Sequence, residues 1–465
     1  MATNTLDNNK MRTMPVGKLL FNMALPLALS MLVQALYNVV DSIYVSRISE
    51  SAVTALSLAF PIQHLIIGFA TGIGVGMNSL LSKSLGENNR ERVNAAAGNG
   101  IFLMLIAVVL FMVFGIVGAR PFFEVQSSVE ETVKGGGDYL TICCLFCVGI
   151  FVEVLGERML QASGRTIFTL FTQGTGAIVN IILDPVFIFG VPTLGIPALG
   201  MAGAAVATVI GQWIAAILAI IFNLTMNPEV QFSLKMIRPD FKVLRKILSV
   251  GIPSIIMMAI GSVMTFSMNG IFQSFKDYGE TATGVFGVYF KLQSFVVMPV
   301  LGINNASVSI IAFNYGARSP ERITKNLKCA LSAALVFMTL GLALFQLAPT
   351  VLLGLFEPTE DFLRLGISAL QIVSLGFPFA AVSIALSATF QAMGVGIYSS
   401  INSLCRQLIV LVPVAYLLSL SGDVHLVWWA FAIAEIVSMI ITLFLFRRIY
   451  RNKIKPLYEQ QKAVL

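Results

Sequence analysis

Two aspartates stand where the chain around them is almost wholly apolar. Asp41 lies in QALYNVVDSIYVSR (34–47) and Asp184 in VNIILDPVFIFG (179–190), each late in a long hydrophobic run. An ionisable side chain in such a run is costly unless it faces protein or water, so each is a functional candidate. Tyr37 and Asn38 precede Asp41 by four and three residues and Gln34 lies one turn further back, all on its helix face. Asn180 precedes Asp184 by one turn, and Pro185 removes an amide donor and frees the carbonyl of Ile181. At about 1.5 Å per residue, Asp41 lies roughly 34 Å above Lys18 and Asp184 roughly 28 Å above Arg165, which matches their depths. Two carboxylates, an amide and a loosened carbonyl suit a proton or a small cation such as Na⁺. Close together in a low dielectric the carboxylates cannot both ionise cheaply, so they are read as one proton-binding pair.

The elements that must hold these residues are membrane helices. Hydrophobic residues make up 57 % of the 465, charged residues only 11 %, and the mean hydropathy is +0.86. Soluble domains carry about twice that charged fraction. Apolar runs between polar breaks predict twelve helices. The first six cover about 18–46, 52–82, 93–119, 137–160, 165–190 and 196–224. The second six cover about 244–274, 281–313, 324–352, 362–392, 397–420 and 425–447. The first run is too long for a cleavable leader and is followed by more of the same, so it reads as an uncleaved first helix. Pro26 frees the carbonyl of Asn22 and marks a place where that helix can bend.

Charge placement tests the count. With the N-terminus inside, 23 of the 30 Lys and Arg fall in cytoplasmic segments and five outside, and Lys291 and Arg406 lie within spans. That split obeys the positive-inside rule and places both termini in the cytoplasm of a cell (plasma or inner) membrane protein. The net charge of +7 is therefore a topology signal, not a nucleic-acid surface.

The halves repeat. Residues 60–92 match 290–322 at an offset of 230, with Phe, Gln, Gly, Ile, Ser, Gly, Glu and Arg in common, and QASG (161–164) meets QAMG (391–394) at the same offset. Six spans per half is an even number, so both halves enter from the same side. This predicts an all-α integral membrane fold of two parallel-oriented six-helix bundles, related by a pseudo-twofold along the membrane normal. The expected organisation is a cytoplasmic arm (1–17), an N-terminal bundle (18–226), a cytoplasmic linker (227–243), a C-terminal bundle (244–447) and a basic tail (448–465). Two facing bundles suit alternating access.

The remaining candidates have plainer readings. Glu153 and Glu157, near a helix end, are expected to pair with Arg158 or Arg165, and Arg406 and Glu435 with each other. Lys291 is either a cation of the substrate cavity or a structural one. GFATGIGVGM (68–77) and TQGTGA (172–177) follow no strand and lead to no GK[ST], so they read as close helix packing and not as nucleotide loops. Cys143, Cys144 and Cys147 read as small buried hydrophobes, because the two histidines are remote. Chemistry in the membrane would need clustered metal-binding acids or a nucleophile constellation, and the spans offer neither, which argues against an enzyme. No filter-like loop suggests a channel.

The helix-one segment with its upstream proline, NIILDPVFIFG, LQASGR and the NYGARSPER loop resemble the multidrug and toxic compound extrusion (MATE) family over essentially the whole chain. The resemblance implies efflux of small amphipathic, often cationic organic compounds driven by inward H⁺ or Na⁺, with that ion as the only cofactor. It implies a cation site at Asp41, Asn180 and Asp184, as in the DinF-like and archaeal branch; these would also be the metal ligands if the ion is Na⁺. Gln34, Tyr37, Asn38, Tyr139 and Lys291 become candidates for the substrate cavity, and Pro26 and Pro185 for the conformational change. Carboxylates used by the NorM-like branch in helices seven and ten are missing, since 247–273 and 365–392 contain no Asp or Glu. The helix-six hydroxyl of some relatives is not expected, since MAGAAVA fills 201–207. A lipid-linked saccharide flippase is the alternative, but such a cavity calls for several Arg or Lys. The partners expected are small molecules and lipid, with no nucleic acid, around a monomer.

Overall fold

The computed structural model describes residues 9–233, 236–276, 278–356 and 359–464. Hydrocarbon offers backbone amides no partner, so a chain this apolar satisfies them within helices. Ten described helices are long and apolar enough to cross a membrane, and two bent pairs bring the count to twelve. The first six spans are α1 (Val16–Ser46), α2 (Glu50–Gly86), α3 (Arg90–Val117), the pair α4 (Glu130–Leu145) and α5 (Val148–Ala162), α6 (Ile167–Phe189) and α7 (Met201–Met226). The second six are α8 (Phe241–Gln273), α9 (Gly279–Gly316), α10 (Pro320–Leu347), the pair α11 (Glu360–Ser374) and α12 (Phe377–Ala392), α13 (Gly396–Ser419) and α14 (Trp429–Ile449).

The fourth and tenth spans, read as single helices, are each broken, with bends of 47° and 48°. Phe146–Cys147 and Leu375–Gly376 fill the breaks without interrupting the apolar run, so hydropathy could not show them. Ser49, Asn89 and Thr359 cap α2, α3 and α11 by accepting from the backbone amides of Ala52, Arg92 and Phe362.

The repeat is visible in the backbone itself. Asn88 (φ 57°) and Arg318 (φ 52°) are the described non-glycine residues in the left-handed region, and they stand 230 apart. Gly164 (φ 82°) and Gly394 (φ 72°) share that offset and close the QASG and QAMG turns.

The chain forms two compact units whose limits fall inside helices. One unit comprises 1–12 and 29–255, the other 13–28 and 256–465. Each unit thus takes in the leading segment of the helix that opens the other half. The exchange points lie just past Pro26 in α1 and Pro253 in α8, prolines that bring no amide hydrogen to the helical bond four residues back. Glycines seat the exchanged segments. In the first unit a Cβ on Gly72 of α2 would meet Ile255 Cγ1 at 2.5 Å and the carbonyl of Gly251 at 2.7 Å. In the second, a Cβ on Gly302 of α9, again 230 residues on, would meet the Ala28 amide of α1 at 2.7 Å.

The arm and linker of the first unit are tied down at the end where its basic loops gather. Arg165 pairs with Glu229 at 3.1 Å, and Asn9 donates to the same carboxylate at 3.3 Å. Burial pushes the Glu229 carboxyl up from its ordinary range, and Arg165 opposes that shift. Burial and then Arg165 draw the Lys10 ammonium down. Asn94 and Asn99 of α3 accept from the linker amides of Gln231 and Asp240 at 3.0 and 2.8 Å.

Gly72→Val tests the glycine seat. Its side chain would force α2 and α8 apart at a cost of about 1–3 kcal/mol, read as a lower melting temperature in detergent. Gly270→Ala in α8, with no atom within 4 Å of its added Cβ, is the control and should melt no lower than the parent. A Gly72→Val protein that melts with the parent would mean that the helices need no close approach there.

Candidate cation-binding site

Inside the first unit, α6 and α7 approach through paired glycines. A Cβ on Gly176 would meet the carbonyl of Gly211 at 3.0 Å, and one on Gly211 would meet that of Gly176 at 2.8 Å. One turn past Gly176 stands Asn180, and this approach brings it to α7. Its Nδ2 donates to Asp184 Oδ1 at 3.2 Å and to Thr208 Oγ1 at 3.4 Å. Both amide hydrogens are therefore engaged. Asp184 is fully buried, and Asn180 and Thr208 are 2 and 5 % exposed.

The remaining oxygens have nothing to accept. Asn180 Oδ1, Asp184 Oδ2 and Asp41 Oδ1 are buried without a hydrogen-bond partner. Asp41 and Asp184 interact electrostatically, so α1 and α6 bring the two carboxylates into one neighbourhood. A buried acceptor without a donor is costly, and a proton or a hard cation relieves that cost. The carboxylate, amide and hydroxyl oxygens gathered here suit Na⁺ or H⁺, and the Cys143 thiol lies within electrostatic reach of Asp41. Among the described residues no group of three His, Cys, Asp or Glu is placed to hold a metal.

The other candidates divide. Tyr37 lies within electrostatic reach of Asp41 and Asp184. Tyr139, buried to 1 % exposure, receives Gln63 Nε2 at 2.5 Å and interacts with Asp41 and Tyr37. Gln34 is partly exposed on α1, and the side chain of Asn38 lies outside the described ones. Lys291 belongs to the second unit, where it is exposed on α9 with no ion pair among the described residues. Pro26 and Pro185 both lie inside continuous helices.

Two expectations need correction. A helix-six hydroxyl is present: it is Thr208, the residue after MAGAAVA, and its spacing from Gly211 is the signal that could have found it. Arg165 is taken by Glu229, so it does not serve Glu153 or Glu157. Glu157 instead accepts from Thr172 at 2.6 Å and Gln173 at 2.9 Å of α6, with Arg158 acting on it electrostatically. Arg406 and Glu435 do pair, at 3.0 Å, with Arg406 carried on a π-helical turn over Cys405–Leu411. The cysteines of 143–147 are free thiols.

Comparison with known proteins identifies the family. The multidrug export protein MepA of Staphylococcus haemolyticus is 23 % identical over 92 % of this chain and 93 % of its own length. The FAD transporter of Shewanella oneidensis is 23 % identical over 95 % of this chain and 97 % of its own. An outward-facing multidrug resistance MATE family transporter of the MOP superfamily superposes with a TM-score of 0.89 at 25 % identity, covering 97 % of this chain and 98 % of that one. The MatE family description matches twice, over residues 26–186 and again over 253–417, once in each half of the repeat. The chain therefore belongs to the MatE family, the multidrug and toxic compound extrusion transporters.

Proposed function

We propose that the protein exports small amphipathic organic compounds, cationic ones among them, in exchange for inward H⁺ or Na⁺ bound at Asp41, Asn180 and Asp184. Family membership makes it a multi-pass membrane transporter and not an enzyme. The relatives named for multidrug export support the substrate class. One observation carries the coupling site: three buried oxygens, one each from Asp41, Asn180 and Asp184, that have no hydrogen to receive. Substrate and ion weaken each other's binding reciprocally, since one conformation cannot favour both. In this reading Pro26 lets α1 bend when the site is loaded, Pro185 supplies the freed carbonyl, and both termini face the cytoplasm of the cell membrane.

A second reading has one observation behind it. Arg406 is neutralised by Glu435, which leaves Lys291, about three turns into α9 and away from the helix ends, as a cation with no ion pair among the described residues. A single cation suits an anionic substrate of the kind named for the FAD-transporting relative, and falls short of what a lipid-linked pyrophosphate needs.

Proteoliposomes loaded with a fluorescent lipophilic cation, or separately with a flavin nucleotide, test both under an imposed pH gradient and an imposed Na⁺ gradient. The parent should move the cation under one of the gradients, and that gradient names the ion. Asp41→Asn and Asp184→Asn should each lose about tenfold or more of gradient-driven transport, equivalent to about 1.4 kcal/mol of coupling. Normal transport by both variants would make them ordinary interfacial aspartates. Flavin transport in place of cation transport would favour the second reading.

Thr208→Val tests the hydroxyl that receives Asn180. It should raise the ion concentration for half-maximal transport several-fold, while Thr208→Ser stays near the parent. Equal ion dependence in the valine variant and the parent would remove Thr208 from the site.

A further inference from the structure

A second pair of carboxylates lies in the same unit, outside the site just described. Glu153 and Glu157 stand one turn apart on α5, 8 and 3 % exposed. Both oxygens of Glu157 are occupied, Oε1 by the Thr172 hydroxyl at 2.6 Å and Oε2 by Gln173 Nε2 at 2.9 Å. Glu153 has no hydrogen bond among the described residues. Beside the pair on α6, Thr169 Oγ1 and Gln173 Oε1 are also buried with no partner, and Thr169 is 1 % exposed. Gln173 Oε1 is an acceptor waiting for a hydrogen, and the Thr169 hydroxyl can give or receive one.

The charged surroundings are few. Arg158 acts on Glu157, while its Nη1 donates to Gln161 at 3.0 Å and its stem packs at Gly74 of α2. Glu157 acts on Glu153, and Glu153 in turn acts on Tyr37 of α1. From α7 the facing polar group is Asn223, whose amide is engaged by the carbonyl of Gly156 at 2.9 Å. From α3 the contact is apolar, with Phe111 against Phe151 at 6.2 Å. Arg165 is held by Glu229. Two buried carboxylates therefore share one guanidinium. Glu157, with a donor on each oxygen, is the better placed of the two to carry charge, and Glu153, with none, to hold a proton.

The repeat provides an internal control. At the offset of 230, fixed in this segment by Gly164 and Gly394, Glu153 corresponds to Ser383 and Glu157 to Ser387 on α12. Ser383 accepts from Ser438 at 3.3 Å, and Ser387 accepts from Asn304 at 3.0 Å and donates to the carbonyl of Ile384 at 2.8 Å. The same fold position is thus filled by neutral, hydrogen-bonded side chains in the second half. The bent helix does not need carboxylates there.

From Thr172 to Asp184 is twelve residues of α6, about 18 Å along the helix. Tyr37 lies within electrostatic reach of Asp41, Asp184 and Glu153. We propose that Glu153 and Glu157 form a second proton-binding site, which accepts the proton leaving Asp41/Asp184 and releases it toward the basic end of the unit. Glu153 gives its proton up at that end, and its carboxylate is reprotonated by the carboxylic acid of the aspartate pair, so each cycle moves one proton and breaks no other bond. A relay that stayed connected would dissipate the gradient. Tyr37 rides on α1, whose leading segment belongs to the other unit, so movement of α1 makes and breaks the connection. This rests on reading the protein as a proton-driven exporter.

Infrared spectroscopy of the purified protein in nanodiscs decides the protonation directly. The carbonyl stretch of a protonated, buried carboxylic acid should be present near neutral pH in the Asp41→Asn/Asp184→Asn protein, where the aspartate pair contributes none, and should be lost when Glu153→Gln is added to it. An unchanged band in that triple variant overturns the proposal. In proteoliposomes, Glu153→Gln and Glu153→Ser should lose about tenfold or more of pH-driven transport while still exchanging labelled for unlabelled lipophilic cation. Parent-like pH-driven transport in both variants, or parent transport driven by Na⁺ alone, also overturns it. If the parent moves no cation under any gradient, the export reading fails, and the infrared band still decides the proton site.

Discussion

A buried oxygen with no hydrogen to accept is among the least tolerable features of a membrane interior, and the first unit is arranged around several of them. Water cannot relieve them as it would in a soluble protein, and hydrocarbon offers nothing. What surrounds Asp184 follows from that constraint. Gly176 and Gly211 let α6 and α7 touch backbone to backbone, which is what allows a single amide to serve both Asp184 and Thr208. With its two hydrogens engaged, Asn180 presents only its carbonyl oxygen to whatever enters beside the carboxylates. The site holds buried acceptors without donors, which is why the proposed function assigns it a cation.

The second organising feature is the exchange of helix segments at Pro26 and Pro253. Because α1 begins in one unit and ends in the other, the residues that carry Tyr37 and Asp41 continue a helix anchored elsewhere. A proline at the crossing removes the one hydrogen bond that would most resist bending there. In the proposed function, loading of the aspartate pair and the course of α1 are thereby connected through covalent structure.

Much of this was legible in the sequence because charge in a membrane span is rare enough to be informative singly. Asp41 and Asp184 drew attention by type and depth, and the 230-residue offset located the repeat later seen in the φ angles of Asn88 and Arg318. The omissions share a cause. Thr208 sits in a run of small residues where a threonine carries no signal until a glycine-mediated approach gives it a partner. Glu157 stands beside arginines in sequence, yet its hydrogens come from Thr172 and Gln173 of the next helix. The breaks at 146–147 and 375–376 pass through apolar residues, and hydropathy sees composition, not direction. Which segments pack together is a property of pairs of helices, and periodicity within one helix does not encode it.

The two halves share a fold and differ in charge, and the difference indicates which half carries ion chemistry. In the second half the embedded acid Glu435 is matched by Arg406, and the positions equivalent to Glu153 and Glu157 hold serines within hydrogen-bonded networks. In the first half the acids outnumber the cations that reach them, and their oxygens outnumber the available donors. Stability alone would have led both halves to the same neutral solution, since an unmatched buried charge costs more than an apolar or hydrogen-bonded replacement. The first unit keeps its unmatched carboxylates against that gradient. Proteins retain such strain where a ligand relieves it during the working cycle, and in the proposed function the relieving ligand is a cation.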